Sequence, residues 1–246
     1  MTDFGMENRR RSCTFHPQSA IVIDEDPGVA SMNRIAKIHA ALERHYSPKK
    51  ACRARRNPLD DLILAILSQK TSDSNGQRTF QMLRQVFPTW EQVHRIPESA
   101  LAEAISSAGL VSYKAVRIKA ILSQIHHAQG HFDLTFLRDV SVEEATAFLG
   151  CLNGISSKTV ARILLVSLGK PVFPVDTHVR RVACRLGLAS PALTPKKIQA
   201  ALQSMVPPPL FSSMYVNLEQ LSQKICKAHT PLCDDCPLSK LCPSGR

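Results

Sequence analysis

Two features of this 246-residue chain combine residue types at spacings that suit chemistry. The first is Lys158, just after Leu152-Asn153-Gly154-Ile155-Ser156, a stretch that reads as a tight turn between two helices. The second helix starts near Ser156 or Ser157. The first N–H groups of a helix have no intrahelical acceptor, so the backbone at Gly154, Ser156 and Ser157 suits a phosphate. Lys158 falls in the first turn, where the positive end of the helix dipole disfavours an ammonium, and burial would act the same way. A lysine held neutral is a nucleophile; a free lysine, protonated at its ordinary pKa of about 10.4, is not. Eighteen residues later Asp176 opens another helix in Val175-Asp176-Thr177-His178. It either caps that helix, the commoner fate of such an aspartate, or serves as a carboxylate partner to Lys158. His178 is expected to orient its neighbours without a catalytic role.

The second feature is Cys226-x6-Cys233-x2-Cys236-x5-Cys242. Four clustered thiols in a chain expected to be cytosolic point to a metal site before disulfides. Ligand type alone admits zinc or an iron–sulfur cluster. Cys13, Cys52, Cys151 and Cys184 have no ligand spacing, and the last two read as small core residues.

The bulk composition narrows the partners. Lys plus Arg number 31 against 20 Asp plus Glu, a net charge of +11. Such a surplus favours nucleic acid. No apolar run is long enough to span a membrane, and the arginines near the N-terminus are not followed by the apolar core of a secretory signal. Lys114, Arg180, Arg181, Lys196 and Lys197 are candidate phosphate contacts, with binding that weakens steeply in salt.

The elements that must position these residues read as helices throughout. Ile35, Ile38, Leu42 and Tyr46 share one face of an early helix. Asn57 caps the next, with Pro58 at its first position, Asp60 in its first turn, and Leu59, Leu62, Ile63, Ile66 and Leu67 facing inward. Further helices are expected to end at Gly109, Gly130, Gly150, Gly169 and Gly187. The fold class is all-α, with about ten helices and short loops. Residues 1–30 read as a disordered tail.

The hairpin LNGISSKT, the loop GKPVFPVDTH and the cysteine spacing occur in the order seen in the endonuclease III family of helix-hairpin-helix DNA glycosylases, which the chain resembles from about residue 31 to 246. The resemblance implies two helical lobes with a DNA-binding cleft between them. Residues 58–166 would form a six-helix barrel lobe. Residues 31–57 would pack with 167–246 as a cluster lobe, with Cys226, Cys233, Cys236 and Cys242 holding one [4Fe–4S] cluster per chain. The loop between the first two ligands would bring Lys227 and His229 to phosphates, with Lys224 just before it. Leu110, in GLVSYKA, matches the family's apolar wedge. Lys70, in LSQKTSD, stands where the family most often has a gap-filling glutamine, with Gln69 beside it.

The resemblance also implies an activity: a monomeric bifunctional DNA glycosylase and abasic-site β-lyase of base-excision repair, acting on oxidised pyrimidines in duplex DNA. Lys158 would be the nucleophile and Asp176 the carboxylate that assists it. The alternatives are a DNA-binding paralogue that cleaves poorly and a glycosylase for mismatched or modified pyrimidines. The hairpin departs from the family's usual Leu-Pro-Gly-Val-Gly at Asn153, Ser156 and Ser157. Ser156 is the departure expected to matter most, because glycine permits a positive φ there.

Overall fold

The computed structural model describes residues 29–46 and 57–245. The expected tail, the basic connector, Cys13 and Cys52 lie outside the described residues, apart from the first residues of α1. Among the described residues there are eleven α-helices and no strand, so the all-α reading holds. The chain divides into two compact units. One comprises residues 57–174; the other joins 29–46 to 175–245. The sequence reading divides the chain at 166/167. Residues 167–174 group instead with the first unit, where Ser167 Oγ donates to Asp61 Oδ2 at 2.6 Å and buried Lys170 donates to the carbonyls of Arg138 and Val140.

In the first unit, α2 (Pro58–Leu67) is started by its own sequence. Asn57 Oδ1 accepts from Leu59 N at 2.9 Å and Asp60 N at 3.2 Å, satisfying amides that the helix leaves without partners. Its inward residues Leu59, Leu62, Ile63, Ile66 and Leu67 are all buried. Then come α3 (Asp73–Val86), capped by Ser72, and α4 (Trp90–Arg95). Helix α5 (Glu98–Ala104) leads through a 3₁₀ turn, Ser106–Ala108, into α6 (Val111–Gln129). The unit closes with α7 (Val142–Cys151) and α8 (Ser157–Val166). Their apolar faces form one core running from Leu59 to Leu168.

Two details differ from the sequence reading. Helix α4 was not anticipated, although Thr89 and Gln92 form a complete capping box before it. Gly150 lies inside α7, which runs on to Cys151; the chain turns only at Leu152–Ile155. Gly130, by contrast, ends α6 in the left-handed conformation at φ 74°, as expected of a C-terminal glycine.

In the second unit, α1 (Val29–Tyr46) buries Ile35, Ile38 and Leu42 and packs against α10 (Pro195–Met205) and α11 (Phe211–Lys224). Helix α9 (Thr177–Arg185) lies along α11. Polar ties hold α1 in place: Asn217 Nδ2 donates to Glu43 Oε1 at 2.9 Å, and Arg34 donates to the carbonyls of Leu186 and Leu241.

Candidate functional site

The hairpin between α7 and α8 is built as a glycine turn. Ile155 N donates to Leu152 O at 3.2 Å, and Gly154 sits in the turn at φ 73°, where a side chain is disfavoured. Gln124 brackets the turn, accepting from Asn153 N at 2.9 Å. Ser156 corrects the expectation placed on it. Its backbone is extended (φ −79°, ψ 153°), and its Oγ accepts from Thr159 N at 3.2 Å as the cap of α8. No positive φ is required at that position, so serine starts the helix without distorting the turn. Ser157 and Lys158 are the first two residues of α8, and both are exposed. Lys158 is therefore not buried, and burial is not what sets its chemistry.

Two loops of the same unit carry the residues matched to the gap-filling positions. Gln69 and Lys70 follow α2; Leu110 precedes α6. Lys70 (φ 51°) and Leu110 (φ 50°) are the only non-glycine residues with positive φ among the described residues. Left-handed backbone is unfavourable for such residues and concentrates at working sites. Both side chains are exposed, Leu110 to 55%, which is costly for a leucine that does nothing.

Arg117 was not singled out from the sequence, yet it joins the Gln69 loop to the hairpin. Its Nη1 donates to Gln69 Oε1 at 3.0 Å, and its Nε to Asn153 O at 3.4 Å. The guanidinium stacks 5.5 Å from the ring of Tyr113, whose hydroxyl accepts from Nη1 at 2.9 Å. Tyr and Arg four residues apart on one helix are the signal that could have found it. A Cβ on Gly154 would lie 2.0 Å from Arg117 Nη2. Gly154→Ala is therefore expected to displace Arg117 and strain the turn, costing about 1–3 kcal/mol. A lower melting temperature together with weaker duplex binding is the expected result. Unchanged melting and binding would show that the turn tolerates a left-handed alanine.

Lys114 does not fit the role given to it. It is 1% exposed, and its Nζ donates to Leu67 O and Ala108 O, each at 2.7 Å. Burial pushes its pKa below the usual lysine value. A phosphate cannot reach it. The reason is its place on α6, in line with the buried Ile118, Ile121, Leu122 and Ile125.

In the other unit, Asp176 caps α9, accepting from Val179 N through Oδ1 at 2.7 Å, and its residue is buried. The same helix reaches the cysteines. Arg181 Nε donates to Cys226 O at 3.0 Å, and Arg185 donates to Cys226 Sγ at 3.3 Å, Lys227 O at 2.7 Å and Ala228 O at 2.8 Å. Arg180 donates to Pro191 O at 2.7 Å. Arg180 and Arg181 are thus engaged within the protein, unlike the exposed Lys196 and Lys197 at the start of α10. Lys224, Lys227 and His229 are also exposed. His178 Nδ1 lies 3.5 Å from Arg181 Nη2.

Cys226, Cys233, Cys236 and Cys242 line one pocket, open to solvent, with Arg185, Ile225 and Leu232. Burial raises the thiol pKa of Cys236 and Cys242, and the nearby Cys226 raises both further. Burial and the neighbouring Cys236 and Cys226 likewise push Tyr46 up to about 12. Mutual disfavour of charge is what thiols gathered around one space produce. Among the described residues no group of three or more His, Cys, Asp or Glu side chains is arranged to hold a single metal ion.

Residues 63–208 match the family described as HhH-GPD superfamily base excision DNA repair protein. An Arabidopsis thaliana protein that carries a provisional DNA glycosylase name is 36% identical over 190 residues, covering 73% of this chain and 64% of that relative's length. Endonuclease III of Thermotoga maritima is 30% identical over 186 residues, covering 76% of this chain and 83% of the relative. A trapped endonuclease III–DNA covalent intermediate superposes with a TM-score of 0.72 at 25% identity, covering 87% of this chain and 96% of the other.

Proposed function

From the premise that this chain belongs to the HhH-GPD superfamily of base excision DNA repair proteins, we propose that it is a bifunctional DNA glycosylase and abasic-site lyase for oxidised pyrimidines in duplex DNA. The observation that carries this reading is Lys158: an exposed amine in the first turn of α8, directly after a glycine turn and a serine cap. A glycosylase that used only water would have no need of an amine there.

The target nucleotide leaves the stack, because its sugar carbon is out of reach inside a duplex. Leu110 and the Gln69–Lys70 loop fill the space it vacates. Lys158 Nζ, as the neutral amine, forms a bond to C1′ while the C1′–N bond to the damaged base breaks; the base leaves with the electron pair and takes up a proton. The buried carboxylate of Asp176 stabilises the positive charge growing on the sugar and assists proton transfer. Opening of the sugar ring gives an imine between Lys158 and C1′. That imine acidifies the C2′ proton, and its removal expels the 3′ phosphate. Water then hydrolyses the imine and restores the lysine.

The four-cysteine pocket suits one [4Fe–4S] cluster, held by Cys226, Cys233, Cys236 and Cys242. When bound, it would fix the fold of the loop presenting Lys227 and His229. The purified protein is expected to be brown, with iron and acid-labile sulfide in equal amounts. Cys236→Ala is expected to lose the colour and melt lower by about 10 °C, equivalent to roughly 3 kcal/mol for a chain of this size. Colourless, zinc-loaded, fully active protein would overturn this assignment. We place the chain in the cytoplasm, as a monomer on duplex DNA.

The test is borohydride trapping with duplexes carrying thymine glycol, a G·T mismatch, an abasic site or no lesion. Trapping with thymine glycol supports the proposal. Trapping only with the mismatch moves the substrate to mismatched pyrimidines. Tight binding without trapping on any duplex would make the chain a non-cleaving DNA-binding protein.

A further inference from the structure

Lys114 is one of two buried lysines among the described residues, and both its side-chain hydrogen bonds go to main-chain carbonyls. One acceptor, Leu67 O, ends α2, three residues before Lys70. The other, Ala108 O, ends the 3₁₀ turn two residues before Leu110. The backbone N–H of Lys114 donates to Leu110 O at 3.0 Å. A single residue thus holds both loops whose tips adopt left-handed backbone. Asn75 adds a parallel tie, with Nδ2 donating to Ser107 O at 2.7 Å and Thr71 Oγ1 at 3.0 Å. Thr79 Oγ1 lies 2.8 Å from Ser107 Oγ.

We propose that Lys114 is a positioning residue that splices the Gln69–Lys70 loop to the Leu110 loop, so that the two enter the duplex as one rigid pair. This rests on the reading that those loops fill the gap left by the extruded nucleotide. Unfavourable backbone persists only where its surroundings over-determine it. Here two tips at positive φ share a brace behind them, and the helix ends that need acceptors filled supply the sockets. Two N–H bonds suffice for the brace, and a lysine side chain carries at least two whether or not it is protonated. A misplacement of about 1 Å far from the bond being broken is enough to slow a reaction about a hundredfold.

Lys114→Met keeps the stem and removes both donors. The experiment compares borohydride trapping on a duplex abasic site with trapping on the same abasic strand unpaired, where no gap needs filling. 2-Aminopurine beside the site reports unstacking in the same duplex, independently of chemistry. Lys114→Met is expected to lose about tenfold or more in trapping rate on the duplex and most of the 2-aminopurine brightening, while the unpaired strand stays within about twofold. Asn75→Ala, at a half-buried position, is expected to show the same split in smaller measure, and it carries the test if Lys114→Met does not melt cooperatively. Equal losses on both substrates, or no loss on either, would overturn the proposal. Wild-type protein that brightens 2-aminopurine but never traps would sink the lyase reading and leave Lys114 to be judged by the fluorescence. Wild-type protein that does neither would overturn both.

Discussion

Lys158→Ala is expected to abolish covalent trapping and strand cleavage while duplex binding and the fold survive. The side chain is exposed at the second residue of α8 and packs into no core. Alanine is the best helix former, so the backbone accepts it. Removing a cation from the positive end of a helix relieves a repulsion of about 0.3–1 kcal/mol. The variant should therefore melt at the same temperature as wild type or slightly higher, and be inert. Stability and activity move in opposite directions, which separates a chemical role from a structural one. The measurements are a melting curve, a binding titration and a borohydride gel on the same preparation. If binding and cleavage fall together, Lys158 is a phosphate contact and the nucleophile lies elsewhere.

The second large effect is expected at Asp176, where the proposal gives one carboxylate two duties. Its Oδ1 caps α9 by accepting from Val179 N, and its charge is assigned to catalysis. Asp176→Asn separates them. Asparagine caps about as well as aspartate, so stability should fall by no more than about 1 kcal/mol, the dipole contribution of the lost charge. Base release should slow by about 10²–10⁴, the usual range for loss of a positioned proton-transfer group. Asp176→Ala should add the loss of the cap, about 0.5–2 kcal/mol. Single-turnover base release on a thymine glycol duplex distinguishes the outcomes. Near-normal release in Asp176→Asn would reduce the residue to a helix cap.

What the sequence made legible was what local rules govern. Asn57 acts on amides two and three residues away, so its cap could be read without knowing the fold; Ser156 caps α8 by the same local rule, but comparison with a glycine hid it. Gly150 misled because glycine permits a helix to end without requiring it; the core contact of Leu149 carries α7 past it, and the turn waits for Gly154. Lys114 misled for a related reason. Charge suggested surface, yet its register with Ile118, Ile121 and Leu122 was available and pointed inward. Arg117 could be suspected from Tyr113 four residues earlier, but its link to Gln69 and Asn153 spans 48 and 36 positions and belongs to tertiary structure alone. The four cysteines were legible as a set; the space they surround was not.

Helix α9 has a consequence beyond its own packing. Its first turn aims the carboxylate of Asp176, and its last turn is bolted to the cysteine loop through Arg181 and Arg185. Nine residues of helix are a rod of about 13 Å. Disturbance at one end is therefore a change of aim at the other. With iron in the cysteine pocket, a cell starved of that metal would accumulate chains whose lysine is intact but whose carboxylate has lost its mooring. On the proposed reading, repair capacity would then follow mineral supply.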